Sequence, residues 1–233
     1  MSLTKYLRKN GYDLIDGPIR NHKLLQLWLK TMFDDVELYF SEIDEAFVSD
    51  VKLKKIKNDA LNINSDMKNE FSFNLGLSLL EDTLEALNLG NFNLNMGINK
   101  GKKVTISYED SQTVEVPIGD IENYLSTCDF KYKNKRLLKN ANRNNILIIS
   151  GVLMAKKLNV SIETDSEIKA DVVTQLKAAA NGKIHIDSKS NKVIQMTANT
   201  DKYFPIAVKA NRIDFDKGVF DRLNLITDNR TLF

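Results

Sequence analysis

The sequence predicts an α+β fold, and three features carry that expectation. From Asn91 to Pro117 apolar and polar residues alternate strictly. Phe92, Leu94, Met96 and Ile98 oppose Asn93, Asn95, Gly97 and Asn99, and past a turn at Asn99-Lys100-Gly101-Lys102 the pattern resumes with Val104, Ile106 and Tyr108 against Lys103, Thr105 and Ser107. Leu77, Leu80, Leu84 and Leu87 recur at spacings of three, four and three, the stripe of an amphipathic helix. The second half then repeats the logic of the first: a long strand, a helix and a hairpin.

A ribbon with one oily and one wet face suits two settings. In a soluble protein the oily face lies on a core, whereas in a membrane barrel it faces lipid and the wet face lines a lumen. Periodicity does not separate them. The predicted arms fall short of the ~9–11 residues that a bilayer-crossing strand needs, so a core sheet is the first expectation.

In chain order, Tyr12 to Ile15 reads as a short strand stopped by Asp16-Gly17-Pro18. Leu24, Leu25, Leu27, Trp28 and Leu29 crowd together in an expected short helix from Lys23 to Lys30, with Trp28 in the core. Val36, Leu38 and Phe40 alternate as a strand, and Ser41 is placed to cap a helical turn over Ile43 to Phe47. Lys52 to Asn64 alternates weakly as another strand. The leucine stripe predicts a helix from Asn74 to Leu89, stopped by Gly90. After Val114 and Val116, the residues Ile118, Ile121 and Leu125 mark a short helix with Pro117 in its first turn. Lys131 to Asn145, basic and Asn-rich, is read as part helix and part loop. Asn145 to Thr164 is a long extended run, apolar at first and then alternating, with Leu158, Val160 and Ile162 against Asn159, Ser161 and Glu163. Ile168, Val172, Leu176 and Ala180 predict a helix ended by Gly182. Lys183 to Asp187 turns at Ser188 to Asn191 into Val193 to Ala198, and Tyr203 to Ile213 closes the set.

A chain of 233 residues with three Pro and ten Gly has room for a full core and no linker-like block, so one large domain is expected. A net charge of +2 and a pI near 8.4 fall below the pI of ~9 expected of nucleic-acid binders, and no nucleic-acid partner is expected. The charge is clustered instead. Lys52, Lys54, Lys55 and Lys57 form one knot, Lys100, Lys102 and Lys103 crown the ribbon turn, and Lys131, Lys133, Lys135, Arg136 and Lys139 form a third. Solvated surface explains such clusters, but each residue is also worth about 1 kcal/mol against an anionic bilayer. The first two knots are the candidate membrane contacts.

Cys128 is the only cysteine, which leaves no internal disulfide, fits a reducing compartment and suggests a small buried side chain. Met1 to Gly11 is polar, and the apolar run Ile146 to Ala155 is too short to span a bilayer as a helix, so a soluble, cytoplasmic chain is expected. No nucleophile elbow, P-loop, dinucleotide fingerprint or HExxH is present, His22 and His185 are the only histidines, and His185 has no neighbouring Cys or acidic cluster at metal spacing. Asp34, Asp35, Glu42, Asp44 and Glu45 read as solvated turns. No catalytic residue, cofactor or metal is expected, and an enzyme ranks behind a binding or scaffold module.

Several stretches together resemble the bacterial gasdermins, relatives of the animal pyroptotic pore formers. They are Tyr6-Leu7-Arg8-Lys9-Asn10-Gly11-Tyr12 leading to Pro18 and Leu24-Leu25; Leu75-Gly76-Leu77-Ser78-Leu79-Leu80 with Leu84 to Leu87; the ribbon ending at Val116 to Leu125; Ile146 to Ile162; and Tyr203-Phe204-Pro205-Ile206-Ala207-Val208-Lys209-Ala210. The resemblance implies a twisted central antiparallel sheet surrounded by helices, like a gasdermin N-terminal domain. It also implies a monomer kept soluble by a short C-terminal segment until a protease, caspase-like or other, removes it. Freed chains of that family gather as homo-oligomers on anionic lipids of the inner membrane. There two hairpin regions, here roughly Lys57 to Val116 and Asn145 to Ala198, extend into a β-barrel pore that kills the cell as a defence against phage. Flanking residues would join the strands on insertion, which meets the length objection. The inserting candidates are Phe92, Leu94, Met96, Ile98, Val104, Ile106, Tyr108, Leu158, Val160 and Ile162. Many members carry a lipidated N-terminal cysteine, whereas Met1-Ser2-Leu3-Thr4 holds none.

On this reading residues 1–213 form the pore-forming domain and 214–233 an inhibitory tail. Asp214-Phe215-Asp216-Lys217-Gly218 is expected as a flexible joint, after which Val219, Phe220, Leu223, Leu225, Ile226, Leu232 and Phe233 carry too much oil for a free end. Phe220, Leu223, Leu225, Ile226 and Phe233 form the expected latch. Their burial does not by itself offset the ordering cost of the segment, so covalent attachment keeps the tail down. Cleavage is expected between Asp214 and Arg230, with Asp216, Asp221 and Arg222 as recognition residues. A scaffold module would instead lose only stability with its tail.

Overall fold

The computed structural model describes residues 2–15, 22–30, 36–59, 63, 66–89, 101–131, 134–180 and 182–226. Among these, ten strands form one antiparallel sheet and two more form a small second sheet, with five α-helices around them. The frame is three long strands, β7 (Gly101–Glu115), β9 (Ile146–Thr164) and β11 (Val193–Asp216), side by side in that order. On the far side of β7 lie β5 (Ile56–Asp59) and β6 (Lys68–Ser72). β11 takes β1 (Asp13–Leu14), β10 (Ile184–Ser190) and β12 (Val219–Leu225), while β9 takes β2 (Leu27–Leu29), followed by β3 (Glu37–Phe40). β4 (Phe47–Val48) and β8 (Asp129–Phe130) pair apart from the rest.

A line of irregularities crosses the three long strands. Asp110 in β7 has φ 52°, β11 carries an insertion between its pairs Asn199↔Lys157 and Phe204↔Ala155, and Lys156 lies 4.7 Å over the Tyr203 ring between them. Such a bulge tolerates Pro205 in a strand otherwise paired on both edges. On one side of the line β9 alternates. On the other it is buried on both faces, because Ile146 and Ile148 pack into one cluster while Leu147 and Ile149 pack into another. That is why its sequence is first wholly apolar and then periodic.

Helix α2 (Phe73–Ala86) buries Leu77, Leu80 and Leu84 completely. It is stopped by Asn88, at φ 56°, and not by the expected Gly90, which lies outside the described residues. The Leu89 and Asn88 amides donate to the Leu84 and Glu85 carbonyls, a Schellman end closed by the buried Leu84 and Leu89. α3 (Ile118–Ser126) follows Pro117, and α4 (Lys135–Ala141) supplies the helical part of the basic stretch. α5 (Ala170–Ala180) precedes Gly182 at φ 75°. α1 (Leu3–Lys9) sets Leu3 and Leu7 into the core.

Three local expectations are corrected. Lys23 to Lys30 is no helix: Leu27, Trp28 and Leu29 are strand β2, paired to Ile148, Leu147 and Ile146, and all three are buried because both faces of β9 are covered there. Trp28 is a core residue, stacked on His22 at 5.0 Å. At Ile43–Glu45 there is only a 3-10 turn, and Glu45 reaches back to the Ser41 amide instead of Ser41 acting as cap. The strands foreseen at Val193 to Ala198 and Tyr203 to Ile213 are one strand, β11, broken only by its insertion. The expected arm Phe92 to Ile98 lies outside the described residues; Lys103–Ser107 of β7 has β6 on one edge and β9 on the other.

Candidate functional site: the β7–β9–β11 sheet and its C-terminal strand

The register brings the expected apolar residues face to face. Val104 opposes Ile162, Ile106 opposes Val160 and Tyr108 opposes Leu158, and the rows continue on β11 as Ile194, Met196 and Ala198. β10 extends two of them with Ile186 and Ile184. All of these side chains are buried, in one cluster roofed by α1, α2 and α5. Sequence reasoning missed the β10 and β11 contributors, although the alternation at Val193 to Ala198 was the signal for them.

Between the apolar rows run polar ones: Thr105, Ser161 and Gln195, then Ser107, Asn159, Thr197 and His185. They are stitched together across strands. Lys157 Nζ and Asn159 Nδ2 both donate to Glu109, at 2.5 and 3.0 Å, and Thr197 Oγ1 donates to Asn159 Oδ1 at 3.2 Å. A groove lined by Thr105, Ser107, Glu109, Asn159, Ser161, Gln195 and Thr197 with Asp66 and Lys68 opens along this face. His185 is exposed and 2.7 Å from Asp187.

Of the basic candidates, Lys52, Lys54, Lys55 and Lys57 are exposed before and on β5. Lys102 faces Glu163 at 3.5 Å and Lys103 bonds Glu70 at 2.7 Å. Lys100 and Phe233 lie outside the described residues, with Phe92, Leu94, Met96 and Ile98.

Asp214–Gly218, expected as a flexible joint, is instead a tight β-hairpin. β11 runs to Asp216, Lys217 and Gly218 turn with φ 49° and 84°, and β12 returns along residues 211–216. The Asn142 side chain accepts from the Gly218 amide at 2.8 Å and Asn144 from Phe215 at 3.3 Å. Phe215 joins Phe47, Phe130 and Phe220 in an aromatic cluster. Of the latch candidates, Phe220 and Leu223 are half-buried beside that cluster, Ile226 packs near Trp28, and Leu225 is 43% exposed. Asp216, Asp221 and Arg222 have exposed side chains but lie within the β11–β12 ladder.

A second polar site went unnoticed in the sequence because its members are far apart in the chain. Tyr12 Oη donates to Glu115 Oε1 at 2.6 Å, and Lys209 Nζ reaches the same oxygen at 2.5 Å while lying 4.9 Å over the Tyr12 ring. Burial, then the hydrogen bond to Glu115 and its charge, hold the Tyr12 phenol far above its usual value. Burial pushes the Glu115 carboxyl up, but the hydrogen bonds from Lys209 and Tyr12 and the Lys209 charge together leave it below the usual range. A carboxyl lowered in the folded state adds stability above its unfolded value of about 4.3, and that stability is lost as pH falls through the folded value. Glu115→Gln is therefore expected to shrink the drop in urea midpoint between pH 7 and acid. An unchanged drop would assign the acid sensitivity to other carboxylates.

Cys128 is half-buried and its thiol donates to the Leu125 carbonyl at 3.2 Å; burial, then the Asp129 charge, push it up to about 11. Among the described residues no group of three or more His, Cys, Asp or Glu gathers as metal ligands would, and no helix is long and apolar enough to cross a membrane.

Residues 15–219 match the model of the Bacterial Gasdermin Family. A gasdermin of Gillisia limnaea is 21% identical over 210 residues, covering 88% of this chain and 79% of that protein. The structure of a bacterial gasdermin from Bradyrhizobium tropiciagri superposes with a TM-score of 0.62 at 14% identity, over 96% of this chain and 91% of that one.

Proposed function

Since the chain belongs to the bacterial gasdermin family, we propose that it is a non-enzymatic pore-forming protein held inactive by its C-terminal strand. A protease removes that strand, and freed copies oligomerise in the inner membrane as a β-barrel that kills the cell in defence against phage. The observation that carries this reading is the set of apolar rows spanning β7, β9 and β11, with hydrogen-bonded polar rows between them. Strands of 15, 19 and 24 residues exceed the ~9–11 needed to cross a bilayer. Apart from the insertion at 200–203, the facing edges of β7, β9 and β11 are already paired to one another, so the ribbons can exchange a protein roof for lipid while keeping those ladders. Thr105, Ser107, Asn159, Ser161, Gln195 and Thr197 would then face the lumen, and Lys52, Lys54, Lys55, Lys57, Lys100, Lys102 and Lys103 the anionic headgroups.

The reading divides the chain into a pore-forming part, 1–213, and a tail, 214–233, whose cleavage region holds Asp216, Asp221 and Arg222. Those three residues sit in a ladder, so a protease must open it or cut at its turn. A full chain with a site-specific protease sequence inserted between Lys217 and Gly218, folded and then cut, is the direct test. The expected result is dye release from anionic liposomes after cutting and none before. Trimmed protein that stays monomeric and leaves vesicles intact would overturn the proposal, and expression of residues 1–216 should be toxic where the full chain is not.

A further inference from the structure

The C-terminal strand does not itself cover the apolar rows. Phe220 and Leu223 of β12 pack with the cluster around Phe47, and Ile226 with that around Trp28. The rows are roofed by Leu3 and Leu7 of α1, by Phe73, Leu77, Leu80 and Leu84 of α2, and by Leu176 and Ala180 of α5. α2 joins β6 to β7 and α5 joins β9 to β10, so each belongs to a connection within a ribbon and moves with it. Among the described residues, α1 is the roofing helix that lies outside both ribbon regions, and it must be lifted separately.

α1 is pinned at both ends. The Thr4 amide and hydroxyl both donate to Asn69 Oδ1 on β6, at 3.1 and 3.0 Å, and Asn69 is buried. At the other end Tyr12, just past the helix, bonds Glu115 of β7, which also holds Lys209 of β11. Glu115 and Lys209 both lie opposite Gly151 of β9, where a Cβ would come within 3.1 Å of Tyr12 Oη. The missing side chain lets the three groups meet across β9. The link to the tail is Gly11, at φ 79°: a Cβ there would meet Leu225 Cδ2 of β12 at 3.3 Å and Lys209 Cε at 3.5 Å. Leu225 thus lies on the backbone that joins α1 to Tyr12.

We infer that α1 is a second cover on the ribbons, clamped by Tyr12, Glu115 and Lys209, and that the C-terminal strand keeps this clamp shut through Leu225 on Gly11. Losing the strand then acts at a distance: it frees Gly11, the clamp opens, and α1 leaves the apolar rows. The consequence for pore formation rests on the function proposed above, but the structural relay does not.

The test is amide hydrogen exchange of the uncut full chain, read on Tyr6–Tyr12, in Leu225→Ala, Tyr12→Phe and Val219→Ala. Val219 is on the same strand, 69% exposed, and serves as the control. Leu225→Ala and Tyr12→Phe are expected to speed exchange there about tenfold, and Val219→Ala to leave it unchanged. A wild-type rate in Leu225→Ala, or equal acceleration in Val219→Ala, overturns the relay, and a wild-type rate in Tyr12→Phe overturns the clamp. Vesicle leakage by the cut chain that carries the inserted protease sequence, with no other substitution, run in parallel, separates the two ideas. Leakage without acceleration in Leu225→Ala sinks the relay alone, and acceleration without leakage sinks the pore alone.

Discussion

Gly76→Ala is expected to destabilise the protein by about 1–2 kcal/mol net, the reverse of what helix propensity alone predicts. Gly76 sits in the interior of a 14-residue helix, where glycine costs ~1 kcal/mol relative to alanine. On propensity the substitution should therefore be a gain. Packing decides otherwise, because a Cβ at Gly76 would lie 2.4 Å from Val104 Cβ, 2.9 Å from Val104 Cγ2 and 3.1 Å from Phe71 Cβ. Val104 is fully buried, β-branched and paired on both edges, so neither its side chain nor its backbone has room to retreat. Overpacking of this kind costs about 1–3 kcal/mol and occasionally more, and here the upper end exceeds the propensity gain. Gly119 in α3 is the matched control, since a Cβ there meets nothing within 4 Å. Gly119→Ala should be neutral or stabilising by up to ~1 kcal/mol. Urea midpoints of the two variants should move in opposite directions, and a Gly76→Ala midpoint at or above wild type would mean that α2 does not lie on β7 at this depth.

What was legible in the sequence was periodicity, and what was not was partnership. The alternation of Val104, Ile106 and Tyr108 and of Leu158, Val160 and Ile162 fixed their shared face, and the register sets them opposite one another pair by pair. The stripe of Leu77, Leu80 and Leu84 placed α2 to within a few residues at each end. Lys23 to Lys30 reads as a helix, although Leu27–Leu29 is a strand, because a strand buried on both faces has no period to betray it; Trp28 is in the core on either reading. Asn88 ends α2 in the left-handed conformation that asparagine tolerates and that Gly90 made easy to look past. The run Asp214–Gly218 looked like a joint because its composition is polar, yet Lys217-Gly218 is the turn pair that closes a hairpin. Tyr12, Glu115 and Lys209 carry no local signal at all, since Tyr12 lies between α1 and β1, Glu115 ends β7 and Lys209 is on β11, and they meet only over Gly151.

The largest expected loss from a single side chain is at Phe215. Its ring is 5% exposed and stands at the centre of an aromatic cluster, stacked on Phe47 at 5.5 Å, tilted to Phe130 at 5.4 Å and edge-on to Phe220 at 6.1 Å. Phe215 and Phe220 are also register partners across the β11–β12 hairpin, so the ring ties the sheet, the β4–β8 pair and the terminal strand together. Phe215→Ala should cost about 3–5 kcal/mol, the range for an aromatic truncated in a core. Phe220 is only half-buried and its removal leaves the other three rings in contact, so Phe220→Ala should cost about 1–2 kcal/mol. The two variants separate stability from control. Phe215→Ala weakens the whole domain, and its main signature is a lowered urea midpoint. Phe220→Ala weakens chiefly the docking of β12, and it should raise vesicle leakage by the uncut chain more than its small stability loss would explain. If Phe215→Ala costs less than ~1 kcal/mol, the cluster is not a core and β12 is held by its backbone ladder alone. If Phe220→Ala leaks no more than wild type while unfolding at a lower midpoint, the strand contributes stability without restraining the ribbons.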